Sequence, residues 1–152
     1  KPMNVITYNY TLTPFNIFIR SMKNVIKNSG LSMRKVKSQK NIYRKNGLGY
    51  CFDAWIVSEV VGKQKPEPIM FETAYKKLNL TDSDRNRIVM IGNNLKKDIA
   101  GANRQGLISI WLDWSPRYFH TVEEPDWNPD YTVNTPAELI PLLHALEEKI
   151  VE

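Results

Sequence analysis

Eleven consecutive residues, Ile88-Val89-Met90-Ile91-Gly92-Asn93-Asn94-Leu95-Lys96-Lys97-Asp98, constrain this chain more than any others. Four apolar residues in succession, rich in branched side chains, read as a strand buried on both faces, the kind found in parallel sheets. Gly92 lets the backbone turn, and two asparagines tolerate the turn that follows. A helix then runs through Ile99 and Ala102 and stops at Gly106, a residue suited to the left-handed cap. A polar cluster at the hand-over from strand to helix occupies the usual place of a ligand site in an open α/β sheet. A short motif of this kind also fits any strand-turn-helix with a polar loop.

The rest of the carboxyl-terminal two thirds repeats the rhythm. Ala54 to Ser58 reads as a short strand, and Val61 to Pro68 as a loop ending on a proline suited to a first helical turn. Phe71, Ala74, Tyr75 and Leu78 follow at the three-and-four spacing of a core-facing helix. Thr81 to Arg85 is a polar turn, and Leu107 to Leu112 is another buried strand closing at Asp113. Trp114 to Pro129 is a long loop. Tyr131 to Val133 is a last short strand. Thr135, Pro136 and Glu138 then supply a cap, a first-turn proline and a capping acid to a final helix striped with Leu139, Leu143, Leu146 and Ile150. Strand and helix alternate four times, which predicts the α/β class with a parallel, helix-covered sheet.

The first fifty residues read differently. They hold ten of the 21 Lys and Arg and no Asp or Glu, whereas the remaining eleven basic residues face all 16 acids. The net charge of +5 therefore hides two kinds of sequence joined near Gly49. Val5 to Leu12 is β-prone, and Ile17 to Ile26 and Met33 to Asn46 suit helices, the latter closed by Gly47. Asn24 to Gly30 makes a poor buried strand. A basic run could meet nucleic acid or an anionic surface, but no nucleic-acid motif accompanies it, and a solvated basic face is the simpler reading.

Some classes are excluded. No run approaches the ~18 apolar residues of a membrane span, so no membrane partner is expected. The single cysteine, Cys51, rules out an internal disulfide and a cysteine-built zinc site, and suits a reducing cytoplasm. The chain opens on Lys1 with no signal-peptide pattern, which suits a fragment or a processed product. His120 and His144 have no partner at metal-ligand spacing.

Two loops remain as chemistry. Lys65 follows one strand, and Asn93, Asn94 and Asp98 follow another; in a parallel sheet both loops meet at the same carboxyl edge. A lysine beside carboxylate and amide oxygens is what a phosphate with a bound divalent cation requires. The oxygens suit a hard ion such as Mg2+, and the ammonium offsets phosphoryl charge.

These two regions resemble a known family. Ser58-Glu59-Val60-Val61-Gly62-Lys63-Gln64-Lys65-Pro66-Glu67-Pro68-Ile69-Met70-Phe71 is similar to the third motif region of haloacid-dehalogenase-like (HAD-like) hydrolases, and Ile91 to Ala102 to the fourth. The resemblance covers about residues 39–145 and includes the spacing between the two motifs. It implies a partial Rossmann-like parallel sheet flanked by helices. Residues 39–152 would be the carboxyl-terminal part of such a core domain, and residues 1–38 a basic segment of unassigned fold. It implies a phosphatase of small phosphorylated substrates that works through an aspartyl-phosphate with Mg2+ as cofactor. Lys65 would steady nucleophile and phosphate, Asn93 and Asp98 would be metal-side residues, and Ser32 falls near the place of the second motif's Ser or Thr.

The chain departs from that family twice. The fourth motif usually opens Gly-Asp, whereas this chain has Gly92-Asn93, and an amide ligand brings no negative charge to a metal. The family's nucleophile and its acid/base partner are two aspartates spaced two apart on the first strand. Residues 1–50 contain no carboxylate, so that strand is expected to be missing, leaving one sheet edge bare and the chain inactive on its own. The other expectation is a catalytically inactive remnant that acts as a binding module through its basic amino-terminal segment. Substrate identity and oligomeric state are left open by the sequence.

Overall fold

The structure, a computed structural model, describes residues 3–8, 27–32 and 53–151, with side chains for 3–6 and 53–150. The helices expected over Ile17 to Ile26 and Met33 to Asn46, and Cys51, lie outside the described residues.

The strands are β1 (Asn4–Tyr8), β2 (Lys27–Ser32), β3 (Ala54–Val57), β4 (Ile88–Gly92), β5 (Ile108–Leu112) and β6 (Tyr131–Val133). They form one sheet in the order β3-β2-β1-β4-β5-β6, and every neighbouring pair is parallel. Between them lie α1 (Ser58–Val61), α2 (Pro68–Leu78) and α3 (Ala100–Arg104), and α4 (Pro136–Val151) follows β6. The α/β class with a parallel sheet flanked by helices is as expected.

Alternation along the strands builds two cores. Ile88 and Met90 of β4 share one face with Ile6, Ile56 and the buried stripe of α2, Met70, Phe71, Ala74, Tyr75 and Leu78. Val89 and Ile91 face the other way, with Val5, Ile110, Leu112 and the α4 stripe Leu139, Leu143 and Leu146. Because β4 is buried on both faces along its whole length, it can be apolar throughout, which is why its sequence is so legible. Each Val, Leu, Ile, Met or Phe side chain among these that is removed from water contributes about 1.5–3 kcal/mol.

Two expectations fail at the amino-terminal end. β1 lies in the middle of the sheet, between β2 and β4, so the central position is filled and no apolar edge is bared there. The sheet ends instead at β3 and β6. Lys27–Ser32 is a strand although its sequence, Lys-Asn-Ser-Gly-Leu-Ser, has little strand propensity. It pairs on both sides, with β1 from Asn4↔Lys27 to Tyr8↔Leu31 and with β3 from Ser29↔Ala54 to Ser32↔Val57. Strand preference depends on such context more than on composition. Two of the six strands thus come from the stretch 1–38 set apart by its charge.

Candidate active site

Parallel pairing puts the carboxyl ends of all the strands on one edge, and the loops after β3 and β4 both leave from it. After β3 the chain makes the single turn α1, closed by Gly62 in the left-handed conformation (φ 78°). It then passes through Lys65 before Pro68 starts α2. After β4, Asn94 caps a π-helical turn over Leu95–Ile99, its side-chain Oδ1 accepting the Lys97 N–H at 2.9 Å. That wider turn returns Asp98 towards the strand it has just left, where an α-helical turn was expected. π-turns are uncommon and recur at functional sites.

The two loops meet in one contact. Lys65 Nζ donates to Asp98 Oδ1 at 2.5 Å, with both side chains almost wholly removed from solvent, at 0% and 2% exposure. Asp98 Oδ2 accepts the Asn94 N–H at 3.1 Å. The close approach depends on Gly92, because a Cβ there would stand 2.2 Å from Asp98 Cβ. Asn93 projects from the same turn, and its Oδ1 is buried with no hydrogen-bond partner among the described residues.

Burial lowers the pKa of the Lys65 ammonium by stripping its water. Attraction to Asp98 and the hydrogen bond to it oppose that effect, while the charge of Lys97 adds slightly to it. An ion pair in this setting is held by geometry, since each charge left alone would be strongly destabilised.

The structure thus brings Lys65 and Asp98 into contact, and Asn93 directly precedes Asn94, whose N–H donates to Asp98. Ser32 is the last residue of β2, at the same carboxyl edge, with its side chain outside the described residues. The orphaned amide oxygen of Asn93 and the carboxylate of Asp98 are oxygen donors of the type that suits a hard divalent cation. Among the described residues no group of three or more His, Cys, Asp or Glu could hold a metal.

Sequence reasoning missed two features of this edge. Gly92 was read as a turn residue, whereas its φ is unremarkable and its role is to leave room for Asp98. His120 Nδ1 contacts Asp113 Oδ1, tying the loop after β5 back to the end of that strand. A spacing of seven residues across a loop gave no periodic signal for this pairing.

Comparison with known proteins places the chain in a family. A family model described as HAD-hydrolase-like matches residues 63–139, half of the chain. The glyceraldehyde 3-phosphate phosphatase of Methanopyrus kandleri is 31% identical over 106 residues, which are 66% of this chain and 42% of that protein. The pyrimidine 5'-nucleotidase YjjG of Escherichia coli is 31% identical over 120 residues, 78% of this chain and 48% of the relative. The chain therefore spans less than half the length of these curated relatives. In fold, it resembles the magnesium-bound HAD-hydrolase YfnB of Bacillus subtilis, with a TM-score of 0.73 at 24% identity over 84% of this chain and 53% of that one. An uncharacterized protein of Listeria monocytogenes superposes with a TM-score of 0.78 at 20% identity, over 96% of this chain and 99% of its own.

Proposed function

This chain belongs to the HAD-like hydrolases, and we propose that its carboxyl edge is the phosphate-binding half of a Mg2+-dependent phosphatase site for small phosphorylated substrates. The observation that carries the reading is the 2.5 Å contact between Lys65 Nζ and Asp98 Oδ1, with the unpartnered Asn93 Oδ1 at the same strand end. The M. kandleri and E. coli relatives are a phosphatase and a nucleotidase, which supports the substrate class.

Each residue would have a distinct task. Lys65 would offer positive charge to a phosphoryl oxygen, in surroundings where water does not screen it. Asp98 would keep that lysine protonated and aimed, and would add the one negative charge on the metal side. Asn93 would give its amide oxygen to Mg2+. Ser32, ending β2, would supply a hydroxyl to the phosphate. The bound cation would neutralise phosphoryl charge, and with an amide in place of a carboxylate it would be held less tightly.

The nucleophile is the missing part. β1 lies centrally beside β4, and the residues that follow it in the chain, Asn9-Tyr10-Thr11, include no carboxylate. Asn9 and Thr11 are spaced two apart directly after that strand. Without an aspartate no aspartyl-phosphate forms, and the acid-base assistance of the second acid is lost as well. The chain as given would bind phosphate and Mg2+ without turning over an ester. The alternative reading is a catalytically inactive remnant acting as a binding module, with the acid-free first fifty residues as the contact for an anionic partner.

Calorimetric titration of inorganic phosphate in the presence of Mg2+ tests the reading. The chain is expected to bind, and Lys65→Ala to lose about tenfold or more in affinity, as for a charge-assisted contact. Turnover of p-nitrophenyl phosphate by the unaltered chain, abolished by Lys65→Ala, would overturn the assignment of the missing nucleophile.

A further inference from the structure

Beside the phosphate edge lies a cavity of about 260 Å3, lined by Asn94, Lys96, Lys97, Arg117, Tyr118 and Phe119. It shares Asn94 with the turn that holds Asp98. Resting on the functional reading above, we propose that this cavity receives a second anionic group, a carboxylate or a further phosphate, on the same small phosphorylated ligand.

Three observations support this. Lys96, Lys97 and Arg117 bring three positive charges to one small cavity, and among the described residues no carboxylate pairs with any of them. Surface cations with no acid nearby raise the local concentration of anions. The cavity also adjoins the site, because Lys97 directly precedes Asp98 in the same turn. Its far wall is held in place from both sides. His120 contacts Asp113 at the end of β5, and the Phe119 ring lies 6.4 Å from that of Trp127, itself buried beside Leu95 and Ile99. A wall fixed in this way offers its cations without a large ordering cost.

The volume sets the size of the ligand. Ligand pockets usually enclose about 300–1,000 Å3, so a cavity of about 260 Å3 admits a carboxylate or a phosphate with a short carbon stem. Tyr118 and Phe119 would cover the stem while the cations meet the charge.

The test compares three ligands by calorimetry with the full chain in Mg2+ buffer. Glycerol 3-phosphate and 3-phosphoglycerate share a three-carbon skeleton and differ in a hydroxymethyl against a carboxylate. Propane-1,3-diol bisphosphate replaces that group by phosphate. At least one of the two doubly anionic ligands is expected to bind about tenfold tighter than glycerol 3-phosphate, the worth of a charge-assisted contact. Which of them does so identifies the second group. Arg117→Ala should bring the ratio close to one, and Lys97→Gln should reduce it; both residues lie in a loop or turn and not in the sheet. Equal binding of all three ligands overturns the second-anion pocket and leaves phosphate binding standing. A preference that survives Arg117→Ala also overturns it. Failure of all three to bind removes the functional reading and this proposal together.

Discussion

Gly92 and Asp98 share one volume: a Cβ on Gly92 would lie 2.2 Å from Asp98 Cβ and 2.5 Å from its Oδ2. Neither could shift easily, since Gly92 ends the buried strand β4 and Asp98 is held by Lys65 and by the Asn94 N–H. Gly92→Ala should therefore act as overpacking and cost about 1–3 kcal/mol of stability. It should also weaken phosphate binding, because Asp98 must leave Lys65. Urea unfolding and calorimetry on one preparation would check both effects, and a stable variant with unchanged binding would refute the geometry.

The ion pair itself predicts non-additivity among its mutants. Lys65→Met leaves Asp98 buried without its cation, and Asp98→Asn leaves Lys65 buried without its anion. Each should cost about 3–5 kcal/mol, the usual penalty for orphaning a buried charge. The double variant removes both charges and should be less destabilised than the sum of the two. Denaturant midpoints across the four proteins measure the coupling. Additive losses would mean that the 2.5 Å contact contributes no mutual stabilisation.

The pH dependence of Asp98→Asn follows from the direction of the Lys65 shift. Burial lowers the Lys65 pKa, and Asp98 opposes that effect in the unaltered chain. Removing Asp98 lowers it further, while the unfolded chain keeps its lysine protonated up to about 10.5. Between those two values the unfolded state holds the extra proton, so stability rises with pH. The deficit of Asp98→Asn relative to the parent should shrink as the solution is taken from pH 7 towards 10. Thermal melts across that range would show it, and a constant or widening deficit would contradict the assignment.

Legibility of the fold in the sequence followed burial. Ile88 to Ile91 could be read because both faces of β4 are covered, and the stripes of α2 and α4 because their buried residues recur at helical spacing. β2 could not be read, since Lys27–Ser32 is held in the sheet by two neighbours instead of by its own side chains. For the same reason the central place of β1 was hidden: five residues, Asn4–Tyr8, carry no mark of which strands flank them. Within the site, residue types and spacing brought Lys65 and Asp98 together. The role of Gly92 required coordinates, because it lies in the space between two residues.

The residues after β1 give the sharpest test of why the chain would lack turnover. Asn9 and Thr11 are spaced two apart in the sequence just after β1, and neither is a carboxylate. Asn9→Asp changes an amide to a carboxylate of nearly the same shape, so it adds charge with little change in bulk. Combined with Thr11→Asp, it should convert a phosphate binder into a slow Mg2+-dependent phosphatase, detectable as p-nitrophenol release above the parent. Asn9→Asp alone should be slower than the double variant by roughly 10²–10⁴, the contribution of general acid-base catalysis. Lys65→Ala in the double variant should abolish the gain, which ties any activity to this site. If the double variant folds, binds phosphate with Mg2+ and still releases nothing, then β1 is not the strand that delivers the nucleophile, and the missing aspartates belong elsewhere.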